Sequence, residues 1–108
     1  MANEMRVRGM LGFAMRAGKL VIGTEQALIA IKRRGAVRLV ATASNASPGT
    51  KKKILTKCEF YGIETVQLNM TTDELGAIIG KTYSPACVAI TDEGFAKEIK
   101  AASATVSN

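Results

Sequence analysis

The apolar residues Val7, Met10, Leu11, Ala14 and Met15 recur at helical spacing, which predicts a helix over residues 6–17 with Gly18 at its C-terminal cap. A short extended piece over 19–22 (KLVI) leads to Gly23. Thr24 is the expected N-cap of a second helix, with Glu25 and Gln26 in its first turn. Its apolar face carries Ala27, Leu28 and Ile31, and it ends near Arg34-Gly35. Residues 37–43 (VRLVATA) make a short apolar run with β-branched members, as an internal strand does. Ser47 then caps a third helix, with Pro48 at the first position, where a missing N–H costs nothing. That helix runs to about Tyr61 and stops at Gly62.

Residues 63–68 (IETVQL) alternate as a strand, and Thr71 or Thr72 caps a short helix over 73–80 (DELGAIIG). Residues 86–91 (ACVAIT) form another buried strand, and 92–101 (DEGFAKEIKA) a final helix. Helices and strands thus alternate, which predicts an α/β fold with a central, largely parallel sheet covered by helices on both faces. At 108 residues the chain makes one domain, placed at residues 1–102, and the Ser/Thr/Ala tail over 103–108 is expected to fray.

Composition adds little: 47% hydrophobic and 22% charged residues describe an ordinary globular protein. No apolar run approaches the roughly 20 residues that span a bilayer. The N-terminal MANEMRVRGM interleaves Glu4 with arginines and does not read as a signal peptide, so a cytoplasmic protein with no membrane partner is expected. Charge adds more. Fifteen Lys and Arg against nine Asp and Glu give +6 and a pI near 9.6, which makes nucleic acid the leading class of partner, against a merely soluble basic protein.

Cys58 and Cys87 are the only cysteines and there is no histidine. A structural zinc site wants about four such ligands, so no metal is expected, and both thiols read as reduced core residues. Without histidine there is no Ser/His or Cys/His pair, and neither GTEQA nor GTKKK completes a phosphate-binding loop. Asp92-Glu93 reads as a helix cap rather than an acid–base pair. No enzyme, cofactor or small-molecule substrate is expected.

The segment NASPGTKKK puts Lys51, Lys52 and Lys53 where a helix least favours cations. At 100° per residue, Ile54, Leu55, Cys58 and Gly62 define this helix's apolar face. Lys51 falls near the middle of that face, with its stem on the core and its ammonium at the rim beside the end of strand 37–43. Lys52 lies on the flank and Lys53 faces solvent. Cations near a helix start oppose the dipole by about 0.3–1 kcal/mol each, while the free N–H groups there attract anions. Two readings stand: a phosphate site, or a solvated charge run. A second basic cluster comprises Arg16, Lys19, Lys32, Arg33 and Arg34. If Gly18-Lys19 and Gly23-Thr24 share a sheet edge with residues 47–52, the two clusters form one surface. Phe13, Phe60, Tyr61, Tyr83 and Phe95 are scattered, which argues against a base-stacking sheet platform.

The order GKLVIGTEQALIAIKRRGAVRLVATASNASP, LGAIIGK and SPACVAI resembles the ribosomal protein L7Ae/L30e superfamily. With TKKKILTKCEFYGI and TDEGFAKEI, it is most similar to the family's bacterial YlxQ-like branch, over about residues 10–101. The resemblance implies a three-layer α/β/α sandwich with a four-stranded mixed sheet, and RNA binding, in some members to kink-turns. It implies that the family's G-x-N-E-x-x-K motif falls on Gly23 and Thr24, with Glu25 in place of Asn, Gln26 in place of Glu (as in the L30e branch) and Ile29 in place of Lys. Lys19 matches a basic residue preceding the motif. Tyr83, Ser84, Pro85 and Ala86 correspond to the loop that cradles an extruded base, and residues 45–51 to another contact loop. An Asn donates to and accepts from a base edge, whereas ionised Glu25 only accepts and repels phosphate. Losing the lysine at Ile29 removes a donor.

The expectation is a monomeric, non-enzymatic protein that is ribosome- or translation-associated. It would bind structured, kink-turn-like RNA through Lys19, Gly23, Thr24, Glu25, Gln26, Arg33, Asn45, Ser47, Lys51, Lys52 and the 83–86 loop. The alternative is a protein-interaction module whose basic face meets an acidic protein partner.

Overall fold

The computed structural model describes residues 4–106. In chain order the elements are α1 (Glu4–Arg16), β1 (Leu20–Ile22), α2 (Thr24–Ile31), β2 (Leu39–Thr42), α3 (Pro48–Tyr61), β3 (Thr65–Gln67), α4 (Thr72–Ile78), β4 (Cys87–Ile90) and α5 (Glu93–Val106). Each corresponds to an element predicted from the pattern. α3 starts and stops where its punctuation says: Ser47 Oγ accepts from Thr50 N, Pro48 follows, and Gly62 ends the helix at φ 70°. Asp92 caps α5 by accepting from Phe95 N at 3.0 Å. α5 continues to Val106 because Ile99 and Ala102 still pack in the core. Residues 103–106 of the expected tail are therefore helical, and residues 107–108, like 1–3, lie outside the described residues.

The sheet order is β1-β4-β2-β3. The largely parallel sheet expected from the alternation of elements is wrong, and the four-stranded mixed sheet implied by the family resemblance is what forms. β4 runs antiparallel to both β1 and β2, and only β2 and β3 pair in parallel, so the sheet is mixed. The cause lies after α4, a helix of seven residues and thus about 10 Å. The loop that follows folds back along it, with Ser84 Oγ donating to Asp73 at the helix start. β4 therefore enters the sheet from the end where β1, β2 and β3 leave it.

Side chains of β2 and β4 alternate between two cores. Leu39, Ala41, Val88 and Ile90 face α1, α4 and α5, joined by Leu11, Leu75 and Ile99. Val40, Cys87 and Ala89 face α2 and α3, joined by Ala27, Ile31, Ile54 and Cys58. Both central strands are buried along their whole length, which explains why they read as unbroken apolar runs. No helix among the described residues is long and apolar enough to cross a membrane.

Cys58 and Cys87 are free and buried, as expected of core thiols. Desolvation pushes each thiol up to about 11, with the neighbouring Cys87 adding to the shift at Cys58. At pH 8 both are expected to resist a thiol-specific disulfide reagent until denaturant is added, after which two thiols per chain react. Rapid native labelling would refute this. Because the folded state holds these protons more tightly than the unfolded chain, stability is full below about pH 8.5 and falls as pH rises towards 11.

Candidate nucleic-acid interface

The mixed topology gives the sheet two chemically different ends. At one end, Gly23 N donates to Cys87 O at 3.0 Å and Ala43 N to Ala86 O at 2.8 Å. Ser44 N donates to Met70 O at 2.8 Å. These bonds gather the starts of α2, α3 and α4 and the 81–86 loop.

α2 begins without a side-chain cap. Thr24 is not the N-cap that the pattern suggested. The β1 backbone stays bonded to β4 through Gly23, so Gly23 occupies the cap position and Thr24 is already helical. Gly23 sits at φ 97°, ψ 156°, a region essentially reserved for glycine. The helix thus starts without a capping side-chain oxygen for the first-turn N–H groups of Thr24, Glu25 and Gln26. Glu25 and Gln26 are exposed and Thr24 is half-buried, with the Cys87 thiol 4.0 Å from its hydroxyl.

The loop before α3 is tied down from both sides. Asn45 Oδ1 accepts from Thr72 N at 2.9 Å, so its carbonyl caps α4. Lys51 Nζ donates to Ser44 O at 2.8 Å, which places the ammonium at the rim beside the end of β2, where the helical wheel put it. Lys51 is half-buried, while Lys52 and Lys53 are exposed. Leu55, assigned to the apolar face, is instead 50% exposed, because α3 meets the core mainly through Ile54 and Cys58. Lys51 is the fourth residue of α3 and its N–H already serves Ser47 O, so the lysines do not surround a set of open donors. Of the first-turn donors, Thr50 N–H is taken by the exposed Ser47 and Gly49 N–H remains.

α4 carries a complete capping box: Thr71 Oγ1 accepts from Glu74 N at 3.2 Å, and Glu74 Oε1 accepts from Thr71 N at 2.8 Å. The latter bond, with Arg8 nearby, holds the Glu74 carboxyl below the usual range. The 83–86 loop leans on this helix. Ser84 bonds Asp73, Pro85 is buried, and Tyr83 remains 53% exposed. The contact requires Gly76, where an added Cβ would meet the Tyr83 carbonyl oxygen well inside van der Waals distance. Gly76 and Asp73 position the loop, and sequence reasoning passed over both. The signal for Gly76 was the LGAIIGK segment, where it looks like an ordinary helix interruption, and Asp73 looks like any acidic residue in a first helical turn.

The opposite end of the sheet holds Lys19 and Arg33. Lys19 O accepts from Thr91 N at 3.0 Å, and Arg38 N donates to Ile90 O, both beyond the far ends of their strands. Lys19, Lys32, Arg33 and Arg34 are exposed there. Arg16 lies over the Phe13 ring at 4.9 Å. Thus Gly23, Thr24, Glu25, Gln26, Asn45, Ser47, Lys51, Lys52 and residues 83–86 come together, and Lys19 and Arg33 do not join them. The two basic clusters form two surfaces. Among the described residues no cluster of His, Cys, Asp or Glu could hold a metal ion.

Comparison with known proteins agrees with this architecture. The chain is 36% identical over 98 residues to "RNA-binding protein YlxQ" of Enterococcus faecium, covering 91% of each chain. It is 32% identical to "Large ribosomal subunit protein eL30" of Sulfolobus acidocaldarius, covering 85% of this chain and 93% of that one. A solved structure of a protein of unknown function from Bacillus halodurans superposes with a TM-score of 0.82 at 35% identity, covering 89% of this chain and 94% of that one. The profile of the ribosomal protein L7Ae/L30e/S12e/Gadd45 family matches residues 5–100, and the chain belongs to that family.

Proposed function

We propose that this is a non-enzymatic, monomeric RNA-binding protein associated with the ribosome or translation. It docks the loop end of its sheet onto structured, kink-turn-like RNA. The observation that carries this reading is the uncapped start of α2, held by Gly23 beside two loops that side chains tether in place. An RNA base edge or phosphate supplies the acceptors that this helix end lacks. The relatives named for RNA binding and for the large ribosomal subunit support the same class of partner.

In this reading Gln26 and Glu25 meet base edges, Lys51 and Lys52 meet phosphate, and Tyr83 to Ala86 receive an unstacked base. Ile29, 51% exposed where the family motif has lysine, offers a ribose or base an apolar contact in place of a cation. Glu25 repels phosphate, so the preference for a bent RNA rests on shape and on the 83–86 loop more than on charge.

Titration of a kink-turn RNA and a matched straight duplex at several salt concentrations tests this. The bent RNA is expected to bind more tightly, with log affinity falling by roughly 0.9 per neutralised phosphate per decade of salt. Absence of binding to either RNA at low salt would overturn the reading.

A further inference from the structure

The basic cluster that the fold moved away from the loop end does not stand alone. Lys32, Arg33 and Arg34 follow the end of α2, Arg38 precedes β2, and Phe60 and Tyr61 close α3. All six line one open groove of about 580 Å³ at the far end of the sheet. No acidic residue lines it, and none of the four cations is in an ion pair among the described residues. Phe60 is 80% exposed and Tyr61 40%, and their rings sit edge to face with centroids 5.0 Å apart.

A helix dipole favours cations just past a C-terminus and would account for Lys32. It explains neither Arg38, contributed by another element, nor a phenylalanine left almost fully in water. A duplex or an acidic peptide would need the cations only. Cations together with exposed ring faces match a backbone of phosphates whose bases are free to stack. We infer that this groove is a second nucleic-acid site, which takes a short single-stranded RNA segment, with the arginines on phosphate and Phe60 and Tyr61 against bases. It is distinct from the loop end and does not depend on kink-turn recognition there. The molecule measures 32 × 28 × 27 Å, so the two sites would engage different parts of one RNA.

A fluorescein-labelled uridine decamer, titrated by anisotropy at low salt with the full chain, tests this separately from structured RNA. The wild type is expected to bind. Phe60→Ala should weaken binding about tenfold, Arg33→Glu with Arg34→Glu should abolish it, and Lys53→Glu, which faces solvent on α3, should leave it unchanged. All of these side chains are exposed, so the variants are expected to keep the wild-type melting temperature. An unbound decamer would overturn the inference. So would a Phe60→Ala variant with wild-type affinity, or equal binding of a glutamate decamer, since cations alone would then suffice. Loss of kink-turn binding with decamer binding intact would count against the loop-end reading and leave this one standing.

Discussion

Lys52→Glu is expected to weaken structured-RNA binding about tenfold and to flatten its salt dependence by about one phosphate. The same change should leave stability unaltered or raise it by about 0.3 kcal/mol, because it replaces a cation with an anion near the start of α3. Lys51→Met should behave differently. Its ammonium donates to the Ser44 carbonyl, a charged hydrogen bond whose loss costs roughly 1.5–3 kcal/mol, offset in part by removal of a cation from the helix start. A net loss of about 1 kcal/mol is expected, read as a lower urea midpoint with unchanged slope. Any loss of RNA affinity in Lys51→Met mixes a missing charge with a loosened loop, whereas Lys52→Glu isolates the charge. If Lys52→Glu binds RNA like the wild type, the exposed lysines are a solvated charge run and the phosphate reading of this helix fails.

Gly76→Ala is expected to be the more damaging change. In an open helix position alanine stabilises by up to about 1 kcal/mol relative to glycine. At Gly76 the new methyl would run into the Tyr83 carbonyl and come within 3.4 Å of Pro85 Cδ, and backbone cannot swing aside as a side-chain tip can. Overpacking of this kind costs about 1–3 kcal/mol, which exceeds the helix gain. The melting temperature should fall by several degrees, at about 4–8 °C per kcal/mol. RNA affinity should fall more than stability alone explains, because the 83–86 loop must leave α4. Gly9→Ala is the matched control: Gly9 is exposed in α1, with nothing within 4 Å of the added Cβ, and this change should raise the melting temperature. Equal effects at the two positions would refute the role given to Gly76.

Much of the fold was legible because its signals are local. Ser47-Pro48 and Gly62 bracket α3 by capping chemistry that acts within one turn, and the unbroken runs of β2 and β4 announce strands buried on both faces. The α2 cap was misread because Thr24 is a good capping residue only if the strand ends before it. A cross-sheet bond from Gly23 to Cys87 decided otherwise. Asn45 gave no local sign that its side-chain carbonyl caps a helix 27 positions away.

Family resemblance supplied a set of contact residues with Lys19 among them, and matching by position does not report which end of the sheet each occupies. Strand direction settles that. The shared direction of β1, β2 and β3 gathers the starts of α2, α3 and α4 at one end and leaves Lys19 and Arg33 at the other. Only the loop after α4 depends on the reversal of β4, which brings it to that end and against Gly76. Phe60 and Tyr61, scattered among the aromatics in sequence, stand beside four cations because α2 and α3 both run back to the end where β2 begins.

The sequence by itself determined the elements, their order and the basic character of the chain. Hydrophobic periodicity, caps and charge act over a few residues or sum over all of them. Only the tertiary structure decided which charges share a surface, which polar side chains are occupied in holding loops, and which glycine keeps a loop in place. These depend on strand direction and on contacts between segments far apart in the chain, and no local pattern encodes them.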